Sequence, residues 1–190
     1  QKPHFLPSEK HLKEGIIHQY YITTSPKERN ESIRTDIQYC YYKKNEEGII
    51  IEKRFDPAFK LREVVKYKYE GQQLQLLSKE AFWRNDTFPF EIGEKNAFLC
   101  FENDKCESYS TRTYLSGHRR SYKKKQQGVT DTLILNKPAK VVSSENLMIT
   151  TSPEAEVDST KFQITEIYLQ NFGLWATHIE NSKYTTEYIL

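Results

Sequence analysis

The residues able to do chemistry are few and scattered: five histidines, three cysteines, many carboxylates and one dense run of cations. His4, His11 and His18 recur at a spacing of seven, and on one helix they would share a face and could hold a metal ion. Pro7 and Gly15 interrupt any such helix, and no cysteine or carboxylate spacing completes a zinc set. The spacing therefore reads as accidental, and no metal ligand is assigned. Cys100 and Cys106 bracket a short polar stretch that reads as a hairpin turn. Cysteines on paired strands beside such a turn can meet disulfide geometry, so a bridge is expected, with two free thiols of a cytosolic protein as the alternative. Cys40, set among tyrosines, reads as a buried free thiol.

The cation run comprises Arg119, Arg120, Lys123, Lys124 and Lys125, with Tyr122 inside it. Together these six could contact an anionic surface such as phosphate, lipid headgroups or acidic glycans, with Tyr122 stacking on a base or sugar. The alternative is a solvated edge strand kept soluble by its lysines. With 28 basic residues against 26 acidic ones, nucleic acid is not an expected partner. Two carboxylates converging at a barrel mouth would suit glycoside hydrolysis, though solvated strand faces account for the same residues. There is no glycine-rich phosphate loop, Gly-x-Ser-x-Gly elbow, His-Glu-x-x-His or Cys-x-x-Cys. No catalytic residue is assigned, no cofactor is expected, and an enzyme is not the favoured reading.

The elements that would position these residues are strands. The chain has 190 residues, enough for one domain with a sizeable core, and its apolar mass lies in 13 Tyr and 10 Phe. Residues 1–190 read as one β-rich domain, with 1–15 as a loosely packed N-terminal arm. Short aromatic and β-branched runs, punctuated by Gly, Asn and Pro, predict strands at Ile16–Thr24, Ile37–Tyr42, Ile49–Phe55, Leu61–Glu70 and on to Trp83. A long irregular connection is expected over Asn85–Asn96. Further strands follow at Ala97–Glu102, Glu107–Ser116, Lys137–Ser144, Lys161–Leu169, Leu174–Glu180 and Tyr184–Leu190; Val129–Leu135 reads as a strand or a helical turn. In Val65–Glu70 the alternation is strict, so Val65, Tyr67 and Tyr69 should face the core and Lys66, Lys68 and Glu70 the water. No segment sustains helical periodicity. The fold class is all-β, an antiparallel meander curled into an open barrel or a two-layer sheet.

Ile22-Thr23-Thr24-Ser25-Pro26 returns word for word as Ile149-Thr150-Thr151-Ser152-Pro153, each followed by a charged loop and a strand. This hints at duplication or at two equivalent edges of one sheet, with shared turn chemistry as the alternative. Tyr67-Lys68-Tyr69-Glu70-Gly71-Gln72-Gln73-Leu74 and Tyr168-Leu169-Gln170-Asn171-Phe172-Gly173-Leu174-Trp175 resemble the Tyr-rich β-hairpins of YD-repeat-like proteins, found among secreted and envelope proteins of the Bacteroidetes. The resemblance covers about a third of the chain. The usual Tyr-Asp pair is replaced, by Glu70 in one copy and Leu169 in the other. It implies an exported β protein and supplies no catalytic residues.

The expected function is therefore non-catalytic: an exported or envelope-associated protein that binds an unknown protein partner or a ligand. The first rival is a carrier of a small apolar ligand, its barrel cavity lined by aromatics such as Tyr39, Tyr41, Phe55, Tyr67 and Tyr69. The second is a carboxylate-based hydrolase. No apolar run approaches the length of about 18 residues that marks a spanning helix, so no transmembrane segment is expected. The opening at Gln1 fits a processed or trimmed chain.

Overall fold

A computed structural model describes residues 5–28, 31–102 and 106–190. After a short helix α1 (Glu9–Glu14) come β1 (Ile16–Pro26), β2 (Arg34–Lys44), β3 (Ile49–Phe55), β4 (Leu61–Glu70), β5 (Gln73–Trp83) and β6 (Asp86–Pro89). The chain continues as β7 (Glu91–Cys100), β8 (Glu107–Thr113), β9 (Arg119–Ile134), β10 (Lys137–Thr151), β11 (Val157–Leu169), β12 (Gly173–Glu180) and β13 (Tyr184–Ile189). Each described neighbour pair is antiparallel. Two pairings close the ring: β13 returns to β1, with Tyr21 opposite Ile189, and β4 pairs with β5, which also joins β7. The result is a closed barrel of 12 strands rather than an open barrel or two layers, with β6 folded back on β5 as an extra edge. Among the described residues, closure leaves only the short β6 as a sheet edge.

The Asn85–Asn96 stretch, expected to be irregular, is instead β6 and most of β7. Pro89 is accommodated because it ends a four-residue strand that pairs on one side only. The turn at Gly71 and Gln72 has φ of 56° and 64°, the left-handed pair that a two-residue hairpin requires. The two Ile-Thr-Thr-Ser-Pro copies sit at the same end of the barrel but in opposite phase. Thr24 faces inward, hydrogen-bonded to Thr186, whereas in the second copy Thr150 is the inward residue and Thr151 points out. The two copies are therefore not one strand repeated in the same phase, and only the second turns at its serine, where Ser152 Oγ accepts from the Glu156 amide.

Residues 5–14 differ most from expectation. Far from packing loosely, they plug the barrel end where β2–β3, β4–β5 and β11–β12 turn. Phe5, Leu6 and Leu12 are buried at 4%, 7% and 0% exposure, in one cluster with Ile50, Val65, Tyr67, Leu74, Leu99, Phe101, Val142 and Tyr168. Ser8 caps α1 by accepting from the His11 amide, and the Ser8 amide donates to Asn171 O at 3.0 Å. Pro7 bridges to Phe172 and rests on Gly173, where a Cβ would come within 2.8 Å of the proline ring. A six-residue helix is too short to announce itself by periodicity, and what holds it is the apolar trio and not its propensity.

At the opposite end nothing comparable intervenes among the described residues. The inward positions there, Ile22, Asp36, Met148, Thr150 and Thr186, are half-buried or exposed. The barrel is therefore plugged at one end and open at the other. Its outer face carries exposed Lys66, Lys68, Lys123, Lys125 and Lys161 at mid-strand, the reverse of the apolar band that faces lipid in membrane barrels.

Candidate functional site

Twelve strands enclose more space than side chains can fill, so a lumen is the expected place for function. Alternation decides what enters it. On β1 and β2 the inward set is His18, Tyr20, Gln38, Cys40 and Tyr42; on β3 it is Ile50, Glu52 and Arg54. A cavity of about 230 Å³ lies at mid-height between these strands and Lys124, Asn146, Glu166, Leu174, Thr177 and Tyr188 opposite. Lobes of about 130 and 80 Å³ adjoin it, sharing Arg54 and Phe98 with the main cavity. Arg54 borders all three, so 30% of its side chain stays exposed although it lies deep in the barrel.

The lumen is polar, and at mid-height its charges are arranged as ion pairs. Arg54 donates to Glu52 at 2.7 Å and to Glu63 at 2.6 Å, and Lys79 meets the second Glu63 oxygen at 2.9 Å. Across the lumen Lys124 meets Glu166 at 2.8 Å, and the Tyr168 hydroxyl donates to the same carboxylate at 3.0 Å. Burial pushes the Glu63 carboxyl up, but Arg54 and Lys79 beside it outweigh burial and hold it below the usual carboxylate range. Burial likewise opposes the charge on Arg54, and Glu52 and Glu63 more than compensate, so the guanidinium is locked in its charged form. Tyr42, Tyr67 and Tyr168 are pushed well above the usual phenol range, first by burial and then by the nearby glutamates. They are permanent neutral donors. Cys40 is the buried free thiol expected there, and burial raises it to about 12, which keeps it protonated.

At the plugged end His18 is 3% exposed, with Nδ1 3.3 Å from the Tyr20 hydroxyl and its ring stacked on Phe172 at 5.3 Å. Burial lowers its pKa from 6.5 to about 4, so it stands neutral at physiological pH. His11 is on the exposed face of α1, and His4 lies outside the described residues.

The residues proposed from sequence are only partly brought together. Cys100 and Cys106 are bridged, with Cα atoms 5.9 Å apart; the 103–105 part of their turn lies outside the described residues. Val65 and Tyr67 face inward at 2% and 4% exposure while Lys66 and Lys68 face water, as the alternation predicts. Of the aromatics expected to line a cavity, Tyr67 does so and Tyr69 packs against the plugged-end core. Tyr39, Tyr41 and Phe55 do not. They are in the outward phase of β2 and β3, where Tyr39 stacks on Phe59 at 4.4 Å and faces Phe55 across the strands. The cation run does not form one face either. On a strand it splits by parity: Arg120, Tyr122 and Lys124 point into the lumen, and Arg119, Lys123 and Lys125 point out. Arg119 pairs with Glu91 on the exterior.

The charged lumen residues Glu52, Arg54, Glu63, Lys79 and Glu166 were not singled out from the sequence. The available signal was opposite charges two apart in strand-like runs, as in Ile50-x-Glu52-x-Arg54. That signal is equally that of a solvated face, because Ile49, Ile51 and Phe55 offer a more apolar alternative for the inside.

No protein-family model and no curated protein matches the chain. Among solved structures, a chain described as "a putative lipoprotein from Parabacteroides distasonis ATCC 8503" superposes with a TM-score of 0.52 at 8% identity, covering 98% of this chain and 97% of that one. At that identity the likeness concerns the fold, and it extends over the whole barrel and not a part of it.

Proposed function

We propose that this protein is a non-catalytic binding protein of the cell envelope or extracellular space that holds a small amphipathic molecule in its barrel lumen. The observation that carries the reading is the walled cavity of about 230 Å³, closed below by residues 5–14 and reached from the open end. With its adjoining lobes it approaches the size of pockets that enclose small ligands. Its walls mix Tyr20, Phe98, Leu174 and Ile179 with Gln38, Asn146, Thr177 and two sets of ion pairs. That lining suits a ligand with both apolar and hydrogen-bonding parts better than the purely apolar cargo of a carrier lined by aromatics. Export is supported by the Cys100–Cys106 bridge, which persists in oxidising compartments, and by a structural neighbour described as a lipoprotein.

The hydrolase reading finds less support. A general-acid carboxyl needs a raised pKa and a free face, whereas Glu63 is driven the other way and Glu52 and Glu166 are each held by a cation. The test is fluorescence titration with the neutral dye N-phenyl-1-naphthylamine, set against Thr177→Trp, which fills the cavity from its wall. Saturable binding by the wild type and its loss in a variant with unchanged secondary structure are expected. Binding that survives the filled lumen, or no binding at all, would remove the reading.

A further inference from the structure

Resting on that lumen reading, we propose that Arg112 and Arg120 form an oxyanion-binding pair at the open mouth, taking the carboxylate or sulfate group of the ligand. The two residues are in direct register on β8 and β9. Ser108, Ser110, Tyr122 and Lys124 of the same strands line the 130 Å³ lobe, so the next inward positions toward the open end are Arg112 and Arg120. Like charges directly opposite on paired strands repel, and among the described residues no carboxylate is in ion-pair contact with either guanidinium; Glu63 acts on Arg112 through space while its oxygens are taken by Arg54 and Lys79.

Their contacts are of a kind that positions a cation without neutralising it. The Arg112 guanidinium lies 4.7 Å from the Phe88 ring centre and 4.2 Å from that of Tyr114. Its Nε is buried with no hydrogen-bond acceptor. Arg120 lies 5.3 Å from the same Tyr114 ring, and its Nε donates to Thr150 Oγ1 at 3.3 Å. The carboxylates facing this quarter of the lumen are committed or distant. Glu63 is held by Arg54 and Lys79, and exposed Asp158 stands on β11, beyond Thr150 and about 10 Å from the Arg120 strand. An anion bridging the two guanidiniums would remove their repulsion, give the buried Nε side of Arg112 a counter-charge, and accept planar, charge-assisted bonds. The aromatic flank of Phe88, Phe90 and Tyr122 would then receive the ring or chain attached to it.

Two dyes with one ring skeleton test this: 8-anilinonaphthalene-1-sulfonate, which carries the anion, and N-phenyl-1-naphthylamine, which does not. In Arg112→Gln/Arg120→Gln the sulfonate should bind about tenfold or more weakly, while the neutral dye binds within about twofold of wild type. Independently of any dye, sodium sulfate should raise the melting temperature of the wild type more than sodium chloride of equal ionic strength, by a margin the variant lacks. The variant comparison removes the general salting-out effect of sulfate. If the double variant does not fold, Arg120→Gln alone, at a half-exposed site, carries the same comparison. Equal sulfonate affinity in wild type and variant, or an equal gain from sulfate, overturns the arginine proposal and leaves the lumen reading intact. Failure of both dyes to bind the wild type, with the sulfate difference preserved, overturns the lumen reading and leaves the arginine pair standing.

Discussion

Acidification should find this barrel's weak point at His18. The ring is sealed between Tyr20, Tyr42 and Phe172 at the plugged end, 3% exposed, and its Nε2 has no hydrogen-bond partner. Charging it in place would bury an imidazolium with nothing to receive its second proton. Burial, and secondarily the nearby His11, lower its pKa from 6.5 to about 4. Between these values the unfolded chain holds a proton on this side chain that the folded chain refuses. Stability therefore rises with pH across that window and is lost as pH falls through it, levelling off below about 4 where both states are protonated. The gap between 6.5 and about 4, at about 1.4 kcal/mol per pH unit, comes to about 3 kcal/mol. His18→Phe keeps the stack on Phe172 and leaves the Tyr20 hydroxyl its 2.8 Å bond to Leu174 O. Urea unfolding at half-unit steps from pH 7.5 to 3.5 is the assay. The variant should lose about 3 kcal/mol less than the wild type over the window, with the difference confined to it. Parallel profiles would show that the ring is not sealed and that solvent reaches it past residues 5–14.

Three other expectations concern packing and charge. Glu166→Gln should cost about 3 kcal/mol or more, because it strands the Lys124 ammonium where its side chain is 8% exposed, whereas Lys124→Met/Glu166→Gln should return to within about 1–2 kcal/mol of wild type; a harmless single variant would mean that water in the lumen replaces the carboxylate. Leu12→Ala should cost about 3 kcal/mol, while Lys10→Ala on the exposed side of α1 stays within about 0.5 kcal/mol, a contrast that equilibrium unfolding would erase if residues 5–14 were merely an arm. Tyr67→Ala should likewise cost about 3 kcal/mol or more and Lys68→Ala about 0.5 kcal/mol at most, its contact with Glu70 being solvent-screened; the reverse order would invert the register of β4.

Much of the fold was legible because strand punctuation is local. The bounds of β3 and β4 follow from Gly48, Pro57 and Gly71, and the Cys100–Cys106 bridge follows from a short turn. Closure was not legible, since it depends on which strands meet: β1 finds β13 across nearly the whole chain, and no local pattern encodes that. The plug was missed for a related reason. Phe5, Leu6 and Leu12 look sparse in a polar segment with two prolines, and their burial comes from an opening that exists only once the ring has closed.

The site was less legible than the fold, and strand phase explains why. In a narrow barrel the inside is apolar, so the more hydrophobic phase of each strand can be assigned inward. A ring of 12 strands is wide enough to hold space beside its side chains, and charged residues can enter provided they arrive with partners. For β2 and β3 this reverses the obvious choice: Tyr39, Tyr41 and Phe55 go outside, and Gln38, Cys40, Glu52 and Arg54 go in. The partners that make the inward phase tolerable come from β4, as Glu63, so the sign of the assignment is set by a strand that the local sequence does not contain. The same arithmetic divides the cation run on β9. Its inward members meet two different fates: Lys124 finds Glu166 and is neutralised, while Arg120 meets Arg112 and is not. Arg54, Lys79 and Lys124 each meet a carboxylate inside the barrel, whereas Arg112 and Arg120 face one another at the mouth with no carboxylate in contact, which is why the proposed anion is placed there.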